Sequence, residues 1–590
     1  MNVHDSISQM IVQTRDVSLP HFAAELIICG TIVINLLVRM VRPLRWLDSS
    51  FLVLAGSLAA LFAVRPWEMG SDVARIELFS GMLVHDGFGV LMRTLLLVFL
   101  VLFVIFTWLS GIPNRDDGPD VHTLVLGATL GMMLMCTANH LLMVFMSVEM
   151  ASVPSYALAG LLKGRRQSSE AALKYSIYGA GTAGVMLYGI SLISGLLNAV
   201  HLPTLAQNLV EKLPTMGPEE TMVLALGGMM LAVGLAFKLS AVPFHFWCPD
   251  VFEGASAEVN AFLSVASKTA ALALLVRVAL GFGTTVPTMF SVAAAPQPAA
   301  QPLPAVSVPA GELASSLYSV ADESSPTTAA ASPATKTAFS DASARRVLSP
   351  VRGFIAKLIA FLAIITCTFG NLAAFGQTNI KRLFAYSTIA HAGYMMMAVP
   401  AILAAAGAGP AGNEVARQGA AALGVYLGVY LAMNLGAFAI IAFLRNAMRS
   451  EEIADYSGLI RRSPVITVCF VIILFSLIGL PPLAGFFGKF AVFSALTGAY
   501  NVTGQAQLPA NYLIWLLVAG GLNTVISLFY YLRVVKVMTW NLEPRDQRPL
   551  QPIGLLRGAY VCLITLPTLG WILCFDLLAK WCATGAESLL

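Results

Sequence analysis

The sequence predicts an all-α polytopic membrane protein of about fourteen transmembrane helices, on three observations: its composition, the recurrence of membrane-length windows, and the charge of the loops between them. Of 590 residues, 57% are hydrophobic and 11% charged, with a mean hydropathy of +0.78. A soluble globule carries about a quarter charged residues. Apolar windows of about twenty residues, each long enough to cross about 30 Å of hydrocarbon, fall at 22–42, 50–65, 87–110, 121–138, 140–162, 170–198, 219–246, 256–281, 354–375, 381–405, 418–444, 464–499, 510–538 and 556–579. Alternate loops should be basic on the inner side of the membrane. One set holds Arg39, Arg42, Arg45, the "KGRR" at 163–166, Lys381, Arg382, Arg445, Arg449, Arg461, Arg462, Arg533, Lys536, Arg545, Arg548 and Arg557. The other holds a few, such as Arg65, Arg75, Lys212 and Arg417. Both termini are therefore expected on the outer face, as an even number of helices requires.

Five segments follow in order: residues 1–120 with helices 1–3, a first repeat at 121–281 with helices 4–8, an insertion at 282–352, a second repeat at 353–540 with helices 9–13, and a C-terminal helix at 541–590. The insertion, with "AAAPQPAAQPLPAVSVPAGELASS" and "SSPTTAAASPATK", is too poor in large apolar residues to offset the entropy of ordering it and is expected to be a disordered outer loop. The N-terminus lacks a basic region leading into an apolar one and a small-residue cleavage site, so no removable signal peptide is expected. The net charge of +4 is spread through short loops and forms no stripe that could follow a phosphate backbone, which argues against nucleic acid as a partner. The eight cysteines are scattered without CxxC spacing, so neither zinc nor an iron-sulfur cluster is expected on this chain.

Charges inside the apolar windows carry the functional signal, because each costs at least about 2.5 to 3.5 kcal/mol at mid-membrane. The main set is Glu149, Lys174, Lys238, Lys268, His391 and Lys489. Each has a plainer reading. Lys174 and Arg277 lie near helix ends, where long side chains snorkel to the interface. His391 reads equally as a satisfied core histidine, and Glu149 with Lys238 as a static pair that fixes packing. Lys268 and Lys489 are harder to dismiss, since no acid in their own helices lies within about a turn. An amine buried without a permanent partner holds its proton loosely. His, Cys and carboxylates nowhere gather at metal-ligand spacing.

Pro243 follows Lys238 by five residues, beside His245, and Pro481 and Pro482 precede Lys489 by eight and seven. Proline removes a backbone donor and frees a carbonyl, so both segments should be broken helices. Non-helical backbone at that depth is tolerated where protein or a water-filled cavity surrounds it. Units of five helices beginning at the fourth and ninth put the two breaks in corresponding places. An odd number of helices inverts the second unit, the pattern of ion transporters.

"GLAFKLSAVPFHFWCPDVFEGA", the "ASK" around Lys268, "GNLAAFGQTNIKRLFAYSTIAHAGY" and "LIGLPPLAGFFGKF" resemble the proton-translocating antiporter-like subunits of respiratory NADH-quinone oxidoreductase, complex I. The resemblance covers about residues 120–540 apart from the insertion. The segment "SVEMASVPSYALAGLLKGRRQSSEAALKYSIYGA" is more similar to the N type than to the L or M types. Lys489 stands where the M type usually has glutamate, and the long lateral helix of the L type is missing. The resemblance implies fourteen helices with two inverted five-helix repeats. It implies Glu149 as the acid that modulates Lys238, Lys238 as the broken-helix lysine, Lys268 as the central relay, His391 as a relay in the second half and Lys489 as the lysine facing the opposite exit. Lys174 and His245 would be secondary. It further implies a bacterial inner-membrane location, no cofactor on this chain, flavin and iron-sulfur clusters in partner subunits, and quinone as the complex's electron acceptor. A Glu149–Lys238 pair at about 4 Å in an effective dielectric near 20 would be worth roughly 4 kcal/mol, enough to drive a proton off or onto the lysine. Two other readings stand beside this one: a subunit of a multisubunit cation/proton antiporter, and a structural membrane subunit without transport.

Overall fold

In the computed structural model, residues 3–40, 48–70, 75–113, 117–285, 341–508, 510–542 and 551–589 are described. Each of the fourteen expected spans falls on helix. Among the described residues twelve helices are long and apolar enough to cross a membrane, and Pro464–Ile478 and Leu555–Leu569 are shorter apolar stretches. Polar residues placed before the apolar runs start several helices. Asp86 accepts from the Gly89 amide at 2.7 Å, Ser256 from Val259 at 3.3 Å, and Asn379 from Lys381 at 2.9 Å and Arg382 at 3.2 Å. Each satisfies backbone donors that have no partner within their helix.

Helices Ala257–Gly283, Ile380–Met396 with its continuation Ala398–Ala406, and Pro410–Met448 form the wholly or almost wholly buried centre. Arg166–Leu197, Pro218–Leu239, Ser349–Ala374 and Tyr512–Thr539 bury less than half of their surface-determining residues and present Leu173, Ile177, Tyr188, Met222, Phe361, Val525 and similar side chains outward. In water these apolar faces would be costly; in lipid they are at home. Lys268 and His391 lie on these central helices.

Two helices are interrupted. Pro218–Leu239 ends at Ser240, whose φ of 57° is left-handed, and the next helix starts at Trp247. Pro464–Ile478 ends at Gly479, φ 91°, and the next helix starts at Ala484. Pro243, Pro481 and Pro482 therefore lie in the connecting turns, past the helix ends, and do not kink a continuous helix. Proline alone does not decide this: Pro154 sits within the unbroken helix Leu141–Ala159. There the hydroxyls of Ser152 and Ser155 bond the carbonyls of Val148 and Ala151, both at 2.6 Å, around the missing backbone bond.

Three features depart from the expected organisation. Residues 286–340, the bulk of the expected insertion, lie outside the described residues, but its last part is helix: Asp341–Val347 and the start of Ser349–Ala374, with Ala344, Leu348 and Arg352 buried. A hairpin pairs Ile76–Leu78 with Leu83–His85 between the second and third spans. The amphipathic helix Leu202–Lys212 packs Leu202, Leu205, Leu209 and Val210 onto the same end of the bundle, with its polar face turned away.

Candidate functional site

The first break is closed by side chains from elsewhere in the chain. The Trp247 indole donates to the Phe237 carbonyl at 3.0 Å, the Val242 amide donates to the Thr366 hydroxyl at 3.0 Å, and the Lys268 ammonium donates to the Leu239 carbonyl at 2.8 Å. At the second break the Lys489 ammonium donates to the Ile478 carbonyl at 2.9 Å and lies 4.5 Å above the Tyr394 ring. Each lysine thus holds the last carbonyl of an interrupted helix. That is the negative end of the helix dipole, where a cation is favoured and an orphan acceptor needs a donor. Both side chains are buried, Lys268 at 2% and Lys489 at 4% exposure, and among the described residues neither forms an ion pair with a carboxylate.

Lys238, in the last turn of Pro218–Leu239, is also buried and donates to the Ser152 hydroxyl at 3.0 Å. The expected direct Glu149–Lys238 contact does not form. Glu149 is half-buried, one turn before Ser152 on the same helix, and forms no ion pair with Lys238. On that helix it is Ser152 that meets Lys238. The coupling is accordingly smaller than the roughly 4 kcal/mol of a contact pair.

His391, on the central helix Ile380–Met396, stands between the two parts. Its helix packs against both Ala257–Gly283, which carries Lys268, and Ala484–Gln505, which carries Lys489. Its Nδ1 is 2.9 Å from the Tyr426 hydroxyl and its Nε2 3.4 Å from that of Tyr531. His245 lies in the first turn, buried, with its ring 4.5 Å from Phe369 and its Nδ1 without a hydrogen-bond partner among the described residues.

Lys174 belongs elsewhere. Its ammonium is 2.8 Å from both Glu170 and Asp250. Arg382 bridges Asp250 and Glu253, and the buried Lys381 takes the carbonyls of Glu253 and Ala255 and the carboxylate of Glu451. This network surrounds the short helix Trp247–Gly254 and fastens it to the helix Ile380–Met396. Arg277 does not snorkel: it is buried and forks onto Asp86, with NH2 at 2.6 Å and NH1 at 2.9 Å, while its Nε donates to the Cys136 carbonyl. It faces the bundle because Ala257–Gly283 is surrounded on all sides. Further buried pairs, Arg93–Glu25 at 3.0 Å and Arg445–Glu258 at 3.2 Å, join other helices.

At the hairpin end, Glu77 is 3.1 Å from His201. Burial pushes its carboxyl up, but His201, Arg75 and Asn139 outweigh that and hold it below the usual carboxylate range. His85 is pushed down to about 3, first by burial and then by the Arg93 guanidinium, which donates to its Nδ1 at 3.1 Å. Sequence reasoning missed Ser152, Thr366, Tyr394, Tyr426 and Tyr531. None is charged, and hydroxyl residues are common in membrane helices, so nothing in the string separates these from their neighbours.

The family model of the NADH:quinone oxidoreductase/Mrp antiporter transmembrane region matches residues 138–295 and 342–508. NADH-quinone oxidoreductase subunit N 2 of Sorangium cellulosum is 34% identical over 562 residues, covering 93% of this chain and 94% of the relative. Subunit N of Anaeromyxobacter sp. is 35% identical over 532 residues, covering 88% and 85%. A chain of respiratory complex I from Thermus thermophilus with bound aureothin superposes with a TM-score of 0.65 at 26% identity, over 95% of this chain and all of that one. A chain of the Mrp complex from Dietzia sp. superposes at 0.67 over 98% and 97%, and at 19% identity it speaks for the fold alone. Matched over most of its length, this chain belongs to the subunit N family of NADH-quinone oxidoreductases and is a multi-pass membrane subunit of the antiporter-like kind.

Proposed function

We propose that the chain translocates protons across the membrane of a bacterial cell as a subunit of an NADH-quinone oxidoreductase, driven by electron transfer that takes place in partner subunits. The observation that carries this reading is the pair of buried lysines, Lys268 and Lys489, each on the open carbonyl end of an interrupted helix, with the helix of His391 packed against the helices of both. A lysine so placed has a favourable site when charged and remains a hydrogen-bond donor when neutral. It can load and unload a proton without rebuilding the site. Glu149 and Lys238 form the input, where a change of charge at the periphery reaches the first break. Lys489 forms the output.

The two breaks fit two inverted five-helix units, one per half of the path. Flavin and iron-sulfur clusters sit in partner subunits, quinone is reduced by the complex, and this chain holds neither. The family names of the relatives support peripheral and membrane partner subunits of such a complex. The alternation of basic loops supports both termini on the outer face.

In vesicles containing the complex, Lys238→Ala and Lys489→Ala are expected to reduce proton uptake per NADH oxidised severalfold at unchanged subunit content. Wild-type pumping by both would remove the basis for the reading. The matching family model, which spans both NADH:quinone oxidoreductase and Mrp antiporter chains, leaves room for a second reading, a cation/proton antiporter subunit. Sodium-dependent proton exchange without electron transfer would select it, and full pumping by an assembled Lys268→Met variant would select a structural role.

A further inference from the structure

We infer that Tyr426 and Tyr531 are relay residues which pass a proton through His391 by exchange of its tautomers; this rests on the proton path proposed above. Three tyrosine rings, Tyr394, Tyr426 and Tyr430, stand 5.3 to 6.1 Å from the His391 ring. Phenylalanine would fill this space equally well, so the hydroxyls need a separate explanation. Tyr430 directs its hydroxyl to the Asn434 amide at 2.6 Å, and Tyr394 accepts from Thr524 at 3.4 Å. The hydroxyls of Tyr426 and Tyr531 instead face the two ring nitrogens of His391, and Tyr531 continues to the Ser387 hydroxyl at 2.5 Å.

The chemistry of these partners differs from that of the lysines. Lys268 and Lys489 donate to carbonyls, which only accept. A histidine with a carbonyl or carboxylate on one nitrogen is locked in one tautomer. A hydroxyl both donates and accepts, so a phenol on each nitrogen leaves both tautomers of His391 open. Tyr426 also packs against Gly488, whose added Cβ would stand 3.1 Å from its ring, and Gly488 adjoins Lys489. The chain Tyr426–His391–Tyr531–Ser387 thus begins at a ring packed on the backbone of the residue next to Lys489.

The transfer balances without a lasting buried charge. A proton reaching the Tyr426 oxygen displaces that hydroxyl's own proton onto Nδ1. The imidazole releases its Nε2 proton to the Tyr531 oxygen, which passes its original proton to the Ser387 hydroxyl as that hydroxyl gives up its own proton to the path proposed above. One proton enters, one leaves, and His391 is left in the other tautomer; a second transfer in the same direction requires the imidazole ring itself to reorient between the two phenols. Reversal of every step runs the transfer the other way.

The test compares Tyr426→Phe, Tyr531→Phe and Tyr430→Phe in the reconstituted complex. Proton uptake per NADH oxidised should fall at least threefold in the first two, with a larger solvent deuterium effect on the remaining uptake, and stay near wild type in Tyr430→Phe. Wild-type uptake in both relay variants overturns the inference, as does an equal loss in all three, which marks a packing role. Should one relay variant fail to assemble, the other decides, because each hydroxyl serves a different nitrogen. Lys489→Ala measured alongside separates the two levels: if it pumps normally the proton path itself fails, whereas if it is defective and the relay variants are not, the relay alone is lost.

Discussion

Buried ionisable side chains in this protein sort by what they touch. Lys268 and Lys489 take helix-end carbonyls, Lys238 takes a serine hydroxyl, and Arg277, Arg93 and Arg445 take carboxylates. The arginines are structural by this criterion: a forked guanidinium pair gains geometry from both partners and has little reason to exchange protons. The lysines, on neutral acceptors, are the ones free to change charge. His85 gives a pH test at the same scale. Its native value of about 3 lies below the ordinary histidine value of about 6.5. The unfolded chain therefore binds the proton first, so this contribution to stability is full above about pH 6.5 and is lost as the pH falls toward about 3. The thermal midpoint in detergent should drop between pH 7.5 and 5, and His85→Gln should flatten that drop. An unchanged slope in the variant would assign the pH dependence to other groups.

Each interruption of a helix depends on a residue in left-handed conformation, Ser240 or Gly479, followed by a turn that holds proline. The geometry of the second break is tight: the Gly485 amide donates to the Ser476 hydroxyl at 3.0 Å, and a Cβ on Gly485 would stand 1.8 Å from the Ser476 carbonyl oxygen. Gly485→Ala must push the two half-helices apart and carry Lys489 away from Ile478. The expected loss is about 1 to 3 kcal/mol, the range for overpacking a tight site, seen as a lower thermal midpoint together with impaired pumping. A variant as stable as wild type would mean that the break is looser than this contact implies. Both breaks were legible in the sequence as lysine near proline, yet Pro154 offers a similar cue within an unbroken helix. The difference lies in the left-handed residue and in the partners that close each break, Trp247, Thr366 and Lys268 in the first, none of which adjoins the break in sequence.

Across the whole molecule, buried pairs tie helices distant in the chain: Arg277 joins Ala257–Gly283 to Asp86 at the start of Gly87–Ser110 and to the end of Gly118–Thr137. Removing one member of such a pair strands the other and costs about 3 to 5 kcal/mol, whereas replacing both with apolar residues of similar volume is often neutral. Asp86→Ala and Arg277→Met should each lower the thermal midpoint of the solubilised protein strongly, and Asp86→Leu with Arg277→Met should recover most of the loss. A double variant as unstable as the sum of the singles would show that the pair has no such coupling.

The sequence by itself determined the class and the places of the apolar helices, because crossing a membrane demands long apolar runs that leave a mark residue by residue. It also determined the family and singled out Lys238, Lys268, His391 and Lys489, because a charge in an apolar run stands out. Tertiary structure alone decided what those charges touch: that Lys238 meets Ser152 and not Glu149, that Arg277 faces Asp86 and not the lipid interface, and that two phenols flank His391. Burial and partner choice depend on which face of a helix turns to which neighbour, often more than a hundred residues away, and neutral hydroxyls in an apolar helix leave no charge to betray them.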